Sequence, residues 1–169
     1  MAEIYQIFNG PMPTTAAQAK VTTGTAIKTM LQVKLGTQLK GKIIEWGISF
    51  DGSTAATPGA VELCETGTVF GTVTASAAAD ITKFGDPNGV DPTTSAFIIG
   101  TSATGYTCTS EGSITAVRMF DAQLLPPTGP YVKQFPLGRE PILNVSTALR
   151  IRVTFASAIS AICYVTIEL

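Results

Sequence analysis

The chain carries no histidine. That removes the commonest general base, the commonest metal ligand and every Ser-His or Cys-His nucleophile arrangement. Cys64, Cys108 and Cys163 therefore have no imidazole to draw a thiolate from, and their wide spacing holds no C-x-x-C pair. Each sits in an apolar or Thr-rich run, where a buried free thiol is expected. Carboxylates can act in pairs, but Glu62 and Glu65 lie three apart on an expected strand and so point to opposite faces. Glu45 and Asp51 are also out of register. Neither a G-x-S-x-G elbow nor a P-loop is present. "DPNGVD" offers Asp86, Asn88 and Asp91 as oxygen ligands, yet it lacks the alternating acids and terminal Glu of a calcium loop. Asp-Pro and Asn-Gly are ordinary turn pairs, so a plain turn is expected there. "NVS" at Asn144 matches a glycosylation triplet, read as chance because no signal peptide is seen. These residue types predict a protein that is not an enzyme and uses no cofactor and no metal.

One stretch concentrates side chains suited to contacting other protein. "PPTGPYVKQFPLGREP", from Pro126 to Pro141, crowds prolines, aromatics and charges into a chain otherwise rich in Thr, Ala, Gly and Ser. Pro126 and Pro127 stop any strand running through "AVRMFDAQLL". "YVKQF" then alternates, with Tyr131, Lys133 and Phe135 on one side and Val132 and Gln134 on the other. The prolines lower the entropy lost on ordering the segment. Tyr131, Lys133, Phe135 and Arg139 are candidate partner contacts, Tyr and Arg being favoured interface anchors. The alternative is that Tyr131 and Phe135 cap the core while Arg139 pairs with Glu140 or another neighbour.

The elements that must hold these groups are strands. Residues 1–25 are predicted to form an extended N-terminal arm, with Pro11 and Pro13 keeping the backbone extended. Its apolar residues Ile4, Tyr5, Ile7 and Phe8 are the second set of candidate contacts, docking as an edge strand, the alternative being a frayed terminus. "KIIEWGISF" is the clearest strand, with Ile44, Trp46, Ile48 and Phe50 on one face and Ile43, Glu45, Gly47 and Ser49 on the other. In "ALRIRVTF", Leu149, Ile151, Val153 and Phe155 alternate with Arg150, Arg152 and Thr154. "SAAADITKF", Ser76 to Phe84, is the one helical candidate, about two turns long. Many short strands with Gly/Pro-rich turns predict an all-β fold: a single β-sandwich or jelly-roll-like domain over residues 26–169.

The composition points the same way. A chain of 169 residues fits one domain and can hold a core without disulfides. Charged residues are 14% of it, against ~25% in ordinary globular chains. The resulting surface of small neutral residues suits packing against other protein. A net charge of −1 with scattered basic residues excludes nucleic acid as a direct ligand. Lys28, Lys34, Lys40 and Lys42 form only a loose cluster, read as solvated strand edges. No run of 18 apolar residues exists to span a membrane, and free thiols suit synthesis in a reducing cytosol.

Three stretches, "TAIKTMLQVKLGTQLKGKIIEWGISFDGSTAATPGAVEL", "GTSATGYTCTSEGSITAVRMFDAQLLPPTGPYVKQFPLGREP" and "ALRIRVTFASAISAICYVTIEL", resemble small virion structural proteins of tailed bacteriophages. The resemblance covers roughly Thr25 to Leu169 and lies in overall phrasing, not in a motif. Similar phage proteins serve as head-decoration, or cement, proteins. The resemblance implies a location on the virion capsid surface, the major capsid protein as partner, and a homotrimer or other homo-oligomer that stabilises the shell. A tail or head–tail connector component is the alternative within the same class. A β-sandwich that binds carbohydrate on the virion surface is the alternative outside it.

Overall fold

Period-two alternation recurs along the chain, and in the computed structural model it becomes antiparallel strands. The structure describes residues 2–37, 40–89, 96–113 and 115–169. Among these residues the strands are β1 (Ile4–Phe8), β2 (Val21–Thr22), β3 (Lys28–Lys34), β4 (Gly41–Phe50), β5 (Gly59–Thr66), β6 (Thr72–Ala75) and β7 (Ile81–Lys83). They continue with β8 (Gly105–Ser110), β9 (Ala116–Leu125), β10 (Tyr131–Gln134), β11 (Ile142–Leu143), β12 (Ala148–Thr154) and β13 (Ser160–Glu168).

The strands form two antiparallel sheets, the expected all-β sandwich. The front sheet runs β10-β4-β13-β1-β7, with β11 also on β4 and β2 on β13. The back sheet runs β6-β8-β3-β12-β5-β9. Trp46, Ile7 and Val165 from the front and Leu63, Leu149 and Ile151 from the back are buried in one core. Each such side chain contributes roughly 1.5–3 kcal/mol by leaving water. Phe50 meets Phe155 edge to face at 5.0 Å. The three cysteines are free and buried, as their surroundings predict. Burial pushes the Cys64 and Cys108 thiols up to about 11.

Three expectations are corrected. The helix over Ser76–Phe84 is a single 3-10 turn, Ala78–Asp80, followed at once by β7. Its Asp80 accepts the Ala77 and Met12 amides, 2.7 Å each, so the segment is stapled to the chain after β1. Thr82 and Ile81 lie in register with Gln6 and Ile7, and sheet pairing prevails over a weak helical preference. The second correction concerns Ile4–Phe8, expected in a separate arm docking as an edge strand. β1 is an interior strand of this chain's own sheet, hydrogen-bonded to β13 on one side and β7 on the other. Asn9 extends that seat: its side chain donates to the Ala161 carbonyl at 3.1 Å and accepts the Cys163 amide at 2.9 Å.

The third correction is a change of phase in β4. Thr166 opposes Glu45 but Ile167 opposes Ile43, so Ile44 is an extra residue in a β-bulge. Because side chains alternate with period two, one inserted residue exchanges the faces beyond it. Ile43 is therefore buried in the core and Ile44 is only half-buried, the reverse of simple alternation. Trp46 and Ile48 keep their predicted inward direction.

The outer sides of the two sheets differ. The middle of the back sheet, around Arg150 and Gln32, is covered by its own loops. Arg150 is fully buried there, its guanidinium donating to the Val69 carbonyl at 2.9 Å and lying 3.2 Å from the Glu111 carboxylate. Gln32 bonds both the carbonyl and the amide of Gly71. Strand β9, the edge of this sheet, carries extra residues at Phe120 and Val117 and a buried Asp121. Bulges and inward-pointing charges are devices that keep an edge from pairing with another chain. Val117, Met119 and Leu124 of β9 stay exposed at that edge, and the outer face of the front sheet is a second surface available for contacts, its outward side chains half-buried or exposed.

Candidate functional site

Alternation along each front-sheet strand sends one set of side chains inward and the other onto this face. In β1, Tyr5 and Ile7 are buried while Ile4, Gln6 and Phe8 stand half-buried outside. In β13, Cys163, Val165 and Ile167 go inward, and Ile162 and Tyr164 go outward. In β10, Val132 and Gln134 are exposed. The two stretches singled out in the sequence, one near the N-terminus and one at 126–141, thus meet on a single surface.

Two hollows mark that surface. The first, about 520 Å³, is lined by Ile4, Ile44, Phe135, Pro136 and Leu137, with Gln134, Glu140 and Glu168 beside them. The second, about 260 Å³, is lined by Phe8, Ile48, Ser49, Pro130, Val132, Ile162 and Tyr164. Ile4 and Phe135 are therefore neighbours in one hollow, although 131 positions separate them in sequence.

Tyr164 is held in place by its neighbours. Its hydroxyl donates to Glu45 at 2.5 Å, and its ring lies 5.6 Å from that of Phe8. Burial and the Glu45 bond both push its phenol upward. Position 47 must be glycine for this arrangement, since a Cβ there falls 2.6 Å from the Tyr164 ring. Gln6 donates to Thr166 at 3.4 Å on the same face.

The other candidates divide by direction. Tyr131 turns inward, its ring 5.4 Å from Trp46 and its hydroxyl donating to Asp121 at 2.8 Å. Lys133 lies 3.2 Å from Asp121 and 5.4 Å from the Phe135 ring centre. Tyr131 therefore takes the core-capping role, and Tyr5 and Ile7 are core residues rather than surface contacts. Phe135 packs against the core and also lines the first hollow. Arg139 is exposed and makes no ion pair among the described residues.

Arg139 closes a tight turn with Pro136, its amide donating to the Pro136 carbonyl at 2.9 Å. Gly138 has φ +79°, the value a type II turn demands at its third residue. Leu137 occupies the tip and is 97% exposed, the most exposed large apolar residue described. The Gly138 amide donates to Glu140 at 3.0 Å and stiffens the turn.

Among the described residues no three Cys, Asp or Glu side chains converge as metal ligands. Asp86 accepts the Asn88 amide at 2.8 Å in the plain turn its sequence predicts, while Asp91 lies outside the described residues. Among the described residues no helix is long and apolar enough to cross a membrane. The sequence reading missed Ile44, Val132, Leu137 and Tyr164. Tyr164 was legible in "AICYVTIEL", where Ile162, Tyr164 and Glu168 fall on the face opposite Cys163, Val165 and Ile167. Ile44 was not, because nothing local in "KIIEW" announces the bulge. Compared with protein-family models, curated proteins and solved structures, the chain finds no match in any of the three.

Proposed function

We propose that this chain is a structural protein of a tailed-phage virion, a decoration protein on the mature head. It docks on the outer surface of the major capsid protein through the front-sheet face and stabilises the shell as a homo-oligomer. One observation carries the reading: the front face holds two largely apolar hollows, one lined by Ile4, Ile44, Phe135 and Leu137 and the other by Phe8, Val132 and Tyr164. Apolar surfaces of this kind mark contacts with other protein. The small neutral surface residues and the resemblance to phage structural proteins supply the class of partner.

The test is co-sedimentation of the purified chain with expanded, emptied heads. Saturable binding with hundreds of copies per head is expected, weakened by Phe8→Ser and Tyr164→Ser at unchanged fold. Copy numbers of a few tens or fewer point to the tail or connector instead. Absence of binding to both heads and tails removes the proposal.

A carbohydrate-binding reading has one observation in its favour. The Phe8 and Tyr164 rings form an aromatic shelf beside the polar groups of Glu45, Gln6 and Thr166. A glycan-array signal lost in Tyr164→Ser, from a chain that does not bind heads, selects that reading.

A further inference from the structure

The turn at Pro136–Arg139 and the hollow beside it are complementary to each other. The turn presents Leu137, almost wholly exposed, on a rigid type II geometry. A leucine so placed gains nothing within its own chain. Pro136 and Leu137 themselves form one wall of the hollow, whose floor of Ile4, Ile44 and Phe135 is apolar and leaves ample room for a further leucine side chain. Charge is unevenly met there, although Glu140 belongs to the turn as well as to the wall of the hollow. Arg139 stands on the turn with no ion pair among the described residues, while Glu140 and Glu168 stand at the hollow. Lys42 lies 3.6 Å from Glu168 and offsets only part of that negative charge.

We infer that the first hollow receives the Pro136–Arg139 turn of a second copy of this chain, with Leu137 entering its apolar floor and Arg139 meeting its carboxylates. The inference rests on reading the front face as protein-binding, and it names one partner for it. A projection and a socket lie side by side on one surface, so two copies satisfy each other reciprocally about a two-fold axis. The second hollow, around Phe8 and Tyr164, stays free to meet the shell. A partner protein of opposite design could also fill the socket, and the experiment separates that case.

Sedimentation equilibrium of the full chain reads the association directly. The wild type is expected to self-associate. Leu137→Ser and Arg139→Glu are each expected to weaken that association about tenfold or more, as truncating an anchor at an interface centre does. Both changes lie at an exposed turn, so thermal unfolding of the monomer should not move. Glu168→Arg alone also weakens association, whereas a mixture of the Arg139→Glu and Glu168→Arg chains recovers it through an inverted pair. A wild type that stays monomeric at its highest soluble concentration overturns the pairing, as does one whose association ignores all three changes. If a monomeric chain still binds emptied heads, the pairing is lost and the decoration role stands. If the chain pairs through the turn but binds no heads, the pairing stands and the decoration role is lost.

Discussion

The Tyr131 hydroxyl donates to Asp121 at 2.8 Å, and this bond ties the edge strand of the front sheet to the edge strand of the back sheet. Asp121 also accepts from Gln123 at 2.9 Å and lies 3.2 Å from Lys133. A buried carboxylate with three donors closes this side of the sandwich. Tyr131→Phe is expected to cost about 1–2 kcal/mol by removing one bond to a charged acceptor. Asp121→Ala is expected to cost more, because it leaves both Tyr131 and Lys133 without their partner. Urea denaturation of the two variants and their double mutant measures this, and strictly additive losses would refute the link.

The same cluster sets the response to acid. Burial alone would raise the Asp121 carboxyl, but the bonds from Gln123, Tyr131 and Lys133 outweigh it and hold it below its ordinary 3.8. Glu65 behaves alike: burial is outweighed by Arg118, Thr147 and the Asn144 amide, and it titrates below its ordinary 4.5. A carboxyl lowered in the folded state stabilises it above the unfolded value and loses that contribution as pH falls. The melting temperature is expected to hold down to about pH 5 and to fall below that, less steeply in Asp121→Asn.

At the alkaline end the sign is reversed. Burial and Asp121 push Tyr131 from 10.0 up to about 12. The folded chain keeps a neutral phenol where the unfolded chain ionises, so stability should decline as pH rises from 10.0 towards 12. Tyr131→Phe should flatten part of that decline, the remainder coming from Tyr164, Tyr106 and the three buried thiols, whose pKa values folding also raises. Thermal melts across this range check it.

Deleting residues 2–9 distinguishes an interior strand from an arm. Removing β1 strips Tyr5 and Ile7 from the core and unpairs β13 and β7 together. The expected product is a chain with no cooperative unfolding transition by circular dichroism. An undiminished melting temperature would mean that β1 is dispensable and the segment acts as an arm after all.

Under the loops that cover the middle of the back sheet, Arg150 is buried with its Nε lacking a hydrogen-bond partner, and Glu111 is its counter-charge. Removing one member of a buried pair strands the other, at about 3–5 kcal/mol. Glu111→Ala is therefore expected to be more damaging than Arg150→Met, which replaces the charge with an apolar chain of similar length. Denaturation midpoints of the two variants give the comparison, and a more damaging Arg150→Met contradicts it.

Much of this protein could be read along the chain. The alternation of Leu149, Ile151 and Val153 with Arg150 and Arg152 predicted β12, and the inward faces of both sheets follow such patterns. The burial of Cys64, Cys108 and Cys163 followed from their apolar surroundings. The Ile43–Ile44 exchange did not, because a bulge is fixed by the partner strand: Thr166 and Ile167 choose their partners across the sheet. Ser76–Phe84 was misread for a related reason, since its residues pair with β1, far away in sequence. The buried state of Arg150 was also hidden, as the Val69 and Glu111 segments that cover it belong to distant loops.

By itself, then, the sequence determined the class and the repertoire. It specified an all-β chain, stiffened by prolines at 126–141, without histidine and with few charges. These are properties of composition and of a two-residue period, which need no partner to be legible. Tertiary structure alone decided where the surface lies. It seated β1 between β13 and β7, turned Tyr5, Ile7 and Tyr131 inward, and brought Ile4 and Phe135 into one hollow. Those outcomes depend on pairings such as Ile4 with Glu168, between opposite ends of the chain. A pairing of that kind is selected by the burial of a whole sheet face at once, and no local stretch of residues records it.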